Sequence, residues 1–158
     1  MSRPLIIVGG EFIYFPSSDN ITSQFYVEDG EMYFPHFQWT DFVIPLLNIW
    51  SFDSLRLQYA DNTNITLNFM SGPYKMILKK GSDMQIELEC IDGSKHIDVR
   101  KFAIKCNYFD WLRALYDANK SLSYYLYIKN MHHGKHSSDY NQSLENLHEL
   151  RIAIDRVR

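Results

Sequence analysis

Three histidines fall close together in this chain: His132, His133 and His136. Imidazole is a common zinc ligand, and three of them can fill a catalytic site. Their spacing matches no helical HExxH, and their segment (KNMHHGKHSSDYNQ, residues 129–142) is polar, contains a glycine and offers no fixed carboxylate. Metal-bound imidazoles also need partners that hold their rings in place. The segment therefore reads as a flexible, solvated loop without a metal, and His148 as a surface residue of the helix beyond it.

Two cysteines are the next candidates. Cys106 precedes a helix start, where a thiolate is stabilised. Neither Cys106 nor Cys90 has CxxC spacing, and no Ser or Cys sits in a GxSxG elbow. Buried thiols in a reducing compartment are the expectation. Glu87 and Glu89 share one face of a strand, opposite Ile86, Leu88 and Cys90. Asp92 follows in a turn, and Asp98 falls on or near the next strand. Same-face neighbours lie roughly 7 Å apart, a spacing compatible with acid–base work, but no polar pocket is implied around them. Such a face is solvated, or it docks on a basic surface, where its charges steer association. Glu28, Asp29 and Glu31, in a hairpin, are candidates for the same role. Gly9-Gly10 is followed by no GxGxxG or GxxxxGK pattern and marks a turn or bulge.

The elements that carry these residues can be read in order. Leu5–Phe15 is β-branched and aromatic, one strand or two broken at the glycines. Residues 23–28 and 31–35 flank Asp29-Gly30 as a hairpin. Thr40 is placed to cap a helix, with Asp41 in its first turn. Phe42, Val43, Leu46, Leu47 and Trp50 then form one apolar face. Pro45 is tolerated near the start. The helix runs on through Leu57, or stops near Ser51 and yields to a strand; the longer form is preferred. Residues 65–70, 74–79, 85–91 and 96–104 alternate between turn signals, which predicts a four-strand antiparallel meander. Lys80 falls in one of its turns. Asn107 caps a second helix with the stripe Phe109, Leu112, Leu115, Ala118 and Leu122. A last helix over 143–157 shows Leu144, Leu147, Leu150, Ile154 and Val157 on one face. The expected fold is one α+β domain over 1–158: an antiparallel sheet, made of an N-terminal hairpin and a meander, packed against two or three helices.

Composition narrows the function. The chain has 158 residues, 46% of them hydrophobic, enough for a proper core. A net charge of −3 argues against a general nucleic-acid binder, which needs a basic face. Eleven tyrosines and ten phenylalanines suit a β-rich core or an adhesive surface. No secretory signal opens the chain, and no apolar run approaches the roughly 20 residues of a membrane span. A cytoplasmic protein with no cofactor and no small-molecule substrate is expected.

One stretch carries a resemblance. Phe37, Trp39-Thr40-Asp41-Phe42-Val43, Leu46-Leu47 and Trp50, followed by Leu67, Phe69-Met70 and Gly72-Pro73-Tyr74, resemble a pattern in small bacterial immunity proteins. These are encoded beside polymorphic or contact-dependent growth-inhibition toxins. The match covers about residues 35–80, and Ser71 stands where the pattern has an acidic residue. The resemblance implies a non-enzymatic protein that binds the C-terminal domain of one cognate toxin, such as a nuclease, in the cytoplasm. Glu28, Asp29, Glu31, Glu87, Glu89, Asp92 and Asp98 are its candidate toxin-binding residues. The alternatives are a non-catalytic interaction or assembly subunit, and a small metal-dependent enzyme built on the His132/His133/His136 loop.

Overall fold

The computed structural model describes residues 3–157. Its strands form two four-stranded antiparallel sheets, and three helices pack with them in an α+β fold. In the first sheet, strand β2 (Asn20–Asp29) is the spine. Strand β1 (Leu5–Phe15) pairs with it on both sides of a break, at residues 5–9 and 13–15. On the other flank β3 (Met32–Phe34) and β4 (Thr40–Phe42) lie end to end, β3 opposite Val27 to Asp29 and β4 opposite Thr22 to Gln24. The predicted break at the glycines is a bulge within one strand. Gly9 pairs with Gln24 and Ile13 with Thr22, so four steps along β1 match two along β2. Gly10 has φ +64°, and a Cβ there would meet the Gln24 side chain at 2.7 Å.

The second sheet is the predicted meander, with β5 (Thr63–Asn68), β6 (Tyr74–Lys80), β7 (Gln85–Asp92) and β8 (Val99–Asn107) in that order. The last strand begins three residues later than the alternation predicts, because His96 turns the chain with φ +64°. Lys80 is not in the turn. It ends β6 on the inner face, 2% exposed, where its ammonium donates to Ala60 O at 3.1 Å and to Asp61 Oδ1 at 2.7 Å. It also lies over the Tyr108 ring, 5.6 Å from the centroid. A lysine at a strand end can be buried when its charge finds a carboxylate and a carbonyl.

Helix α1 (Val43–Arg56) continues as a 3-10 turn over Leu57–Tyr59, so the longer helix is the observed one. Thr40 does not cap it. Thr40 and Asp41 pair with β2 instead, and Phe42 precedes the first turn without a side-chain cap. Pro45 lies in that first turn, where its missing N–H costs nothing. Helix α2 (Tyr108–Ile128) starts as expected, with Asn107 Oδ1 accepting the Asp110 N–H at 2.8 Å. Helix α3 (Ser137–Val157) begins six residues before the predicted 143, so the loop between α2 and α3 is shorter than 129–142. Among the described residues no helix is long and apolar enough to cross a membrane.

Helix α1 packs on β2, β5, α2 and α3. Trp50, fully buried, marks this centre. Its ring meets Phe25 of β2 at 4.9 Å and Phe69 at 5.0 Å, and its N–H donates to Asn68 O at 3.0 Å. Removing so large a buried ring costs roughly 3–5 kcal/mol. The buried face of α3 is Ser143, Asn146, Leu150, Ala153 and Ile154, while Leu144 is 42% exposed. The predicted leucine stripe is therefore rotated. Small residues let α3 approach closely, and Asn146 enters a buried amide network. Its Nδ2 donates to Asn48 Oδ1 at 2.9 Å and Asn119 Oδ1 at 3.1 Å. Asn119 Nδ2 in turn donates to Ser51 Oγ and Leu115 O, both at 2.9 Å. Three helices are thus joined by satisfied polar groups, which periodicity does not register.

Candidate functional site

Both halves of the stretch that carries the resemblance meet at one buried carboxylate. Asp41, 1% exposed, is held on β4 with its side chain aimed at the turn between β5 and β6. It accepts the N–H groups of Phe42 (2.7 Å), Met70 (3.1 Å) and Ser71 (3.1 Å), the Ser71 hydroxyl (3.2 Å) and the Trp39 indole (3.2 Å). Five donors on one carboxylate satisfy it without a counter-charge. Trp39 then packs edge-on against Tyr74, with ring centroids 5.2 Å apart. Gly72, at φ +73°, has no room for a side chain: a Cβ would meet the Tyr74 ring at 3.0 Å and Trp39 at 3.2 Å. The motif is one structural knot, with the Ser71 hydroxyl donating where an acidic residue would bring a second carboxylate against Asp41.

The seven candidate acids separate into three sets. Glu87, Glu89 and Asp98 face a charged sheet surface and are matched by cations. Glu89 pairs with Lys79, Glu87 lies 3.9 Å from Arg100 and 3.8 Å from Lys105, and Asp98 lies 2.8 Å from Lys75. The Lys79 hydrogen bond holds the Glu89 carboxyl below its ordinary range. Asp92 accepts the Ser94 N–H at 2.8 Å, which locks the turn after β7, and the Ser94 hydroxyl together with that N–H holds its carboxyl below the ordinary value. The outer face of the second sheet is therefore a mixed-charge lattice, not an acidic plate. Cross-strand lysines produce it, and a strand read alone does not show them. Glu28, Asp29 and Glu31, at the β2–β3 hairpin, have no cation within ion-pair distance among the described residues.

The histidine segment is more ordered than its composition implies. His136 is buried, with Nδ1 2.9 Å from Asp139 Oδ2 and Nε2 3.2 Å from Asp19 Oδ1. Tyr14 donates to the same Asp19 oxygen at 2.5 Å, and its ring stands edge-on to the imidazole. That hydrogen bond holds the Asp19 carboxyl below, and the Tyr14 phenol above, the ordinary value. His136 thus bridges the β1–β2 turn to the start of α3. His132 stacks on Tyr127 and lies tilted against His133. Among the described residues no three His, Cys, Asp or Glu side chains are grouped to hold a metal ion. Burial pushes both thiols, Cys90 and Cys106, up to about 12, so neither is an activated nucleophile.

One feature has no counterpart among the sequence candidates. A groove of about 570 Å³ runs between α1 and α3, lined by Asn48, Ile49, Phe52 and Asp53 on one wall and Gln142, Glu145, Asn146 and Glu149 on the other. Phe52 is 64% exposed and Ile49 52% exposed. Their spacing of three marks a second apolar face on α1, overlooked because the buried face dominates the same helix.

Fold and site together define an α+β protein organised around the Asp41 knot. No family model, curated protein or solved structure matches the chain.

Proposed function

We propose that this chain is a partner-binding protein, an immunity protein that occupies the toxic C-terminal domain of a cognate bacterial toxin and neutralises it. The observation that carries the reading is the knot itself. The residues behind the resemblance, Trp39, Asp41, Gly72 and Tyr74, lie apart in sequence and close on one another as a single unit. Supporting it, the Glu28–Asp29–Glu31 hairpin carries carboxylates with no cation partner among the described residues, able to steer a basic partner. The histidine bridge and the cation-matched Glu87 and Glu89 have structural roles that account for their residue types.

The test is co-expression with the toxic domain encoded by the adjacent upstream gene. Growth is rescued and the two proteins co-purify if the reading holds; persistent toxicity with well-expressed protein defeats it.

An assembly subunit is the second reading. Tyr124, Tyr127 and Ile128 are all more than half exposed at the end of α2, near the edge strand β1. Light scattering at rising concentration decides it: a stable oligomer supports assembly, a monomer removes it.

A further inference from the structure

Along the α1–α3 groove, an apolar wall meets a one-signed charged rim. Ile49 and Phe52 supply exposed apolar surface, while Asp53, Glu145 and Glu149 supply three carboxylates. Glu145 and Glu149 stand at i and i+4 on α3, where like charges oppose the helix. Among the described residues no cation lies within ion-pair distance of either. At one end of the rim Arg56 is 3.7 Å from Asp53 and lies over the Phe52 ring. The floor is fixed by the amide network, in which Asn146 binds both Asn48 and Gln142. Asn48 accepts through Oδ1 and Gln142 donates through Nε2, and among the described residues Asn48 Nδ2 and Gln142 Oε1 have no hydrogen-bond partner. A volume of about 570 Å³ accommodates a few side chains, not a whole domain face.

We infer that this groove is the docking site for a cationic amphipathic segment of a partner protein. An apolar or aromatic anchor enters between Ile49 and Phe52, and Lys or Arg residues on either side meet Glu145, Glu149 and Asp53. The occupant follows from charge complementarity: the rim repels an acidic segment, and the two exposed apolar residues give a purely polar one no anchor. The assignment rests on the partner-binding reading and names the chemistry of the surface that the partner presents.

Two measurements test it. In the first, a designed helical peptide of lysine and leucine is titrated into the isotope-labelled protein, with a glutamate–leucine peptide as control. Amide shifts concentrated on residues 48–55 and 142–149, weakening with salt, are expected. The double variant Glu145→Lys/Glu149→Lys should bind the basic peptide at least tenfold more weakly. Glu11→Lys/Asp155→Lys, which reverses two exposed acids away from the groove, should bind it within twofold of the parent. Shifts elsewhere, absence of binding, or equal loss in both double variants overturns the proposal. In the second, the same variants are tested against the neighbouring toxin domain. If the toxin binds the parent and the groove variant equally, the groove assignment falls and the immunity reading stands. If the toxin ignores the parent, the immunity reading falls, and the peptide titration still decides the groove.

Discussion

Asp41 and Ser71, thirty positions apart, are joined three ways: the Asp41 carboxylate takes the Ser71 N–H on both oxygens and the Ser71 hydroxyl on one. This pair fastens the first sheet to the second, since Asp41 belongs to β4 and Ser71 to the turn that opens β6. Asp41→Ala leaves part-buried donors at Met70, Ser71 and Trp39 without an acceptor, so a loss of roughly 2–5 kcal/mol is expected in urea unfolding. Asp41→Asn keeps one acceptor oxygen and should lose less. Ser71→Asp should destabilise more than Ser71→Ala, because it sets a carboxylate against Asp41. The reverse order would mean that a second carboxylate is accommodated beside Asp41.

The amide network predicts non-additivity. Asn119→Ala and Asn146→Ala each break bonds inside the helical layer and should each cost roughly 2–3 kcal/mol. Because they share a hydrogen bond, the double variant should fall short of the sum by at least about 0.5 kcal/mol. Thermal unfolding of the four proteins completes the cycle, and simple additivity would show that the two residues act separately.

Thiol chemistry gives a direct readout of burial. With both pKa values near 12 rather than 9.0, the thiolate fraction at pH 8 is about a thousandfold below that of a free cysteine. Native protein should therefore resist an aromatic disulfide reagent for hours, and release two equivalents at once in denaturant. Rapid modification of one thiol in the native state would contradict the burial of Cys90 or Cys106.

The Tyr14–Asp19 bond predicts a pH effect of definite sign. The folded pKa of Asp19 is depressed, chiefly by the Tyr14 hydroxyl. Its contribution is present above the ordinary carboxylate value near 4 and is lost as pH falls through the lower folded value. Tyr14→Phe should lower stability at pH 7 and flatten the acid limb of the stability profile below pH 4. Parallel acid limbs in the two proteins would mean that Asp19 owes nothing to Tyr14.

Where local pattern and tertiary structure agree, the elements were legible from sequence. The stripe Leu112, Leu115, Ala118 and Leu122 fixes the buried face of α2, and Asn107 starts it as its side chain dictates. Turn residues at Gly81 and Gly93 divide the meander. The failures share one cause, a long-range partner outweighing a local signal. Thr40-Asp41 before an apolar run is indistinguishable from a helix start, yet β2 claims its backbone and the Met70–Ser71 turn claims its carboxylate. His136 looks solvated until Asp19 and Tyr14, more than a hundred residues earlier, close over it. The α1–α3 groove was illegible because neither helix shows it alone; it arises where Asn146 draws α3 against Asn48.

The stacking of β1 on α2 has a consequence for biosynthesis. Phe12 lies flat on Tyr125 with ring centroids 3.9 Å apart, so the first strand made packs against the second-last helix. While the chain is still emerging from the ribosome, β1 can pair with β2 but cannot cover its apolar face until α2 has been synthesised. Closing so long a loop makes this a slow, late step, and it leaves the half-made protein with an uncovered apolar sheet face. Newly made chains should therefore depend on chaperones more heavily than the compact native state would imply.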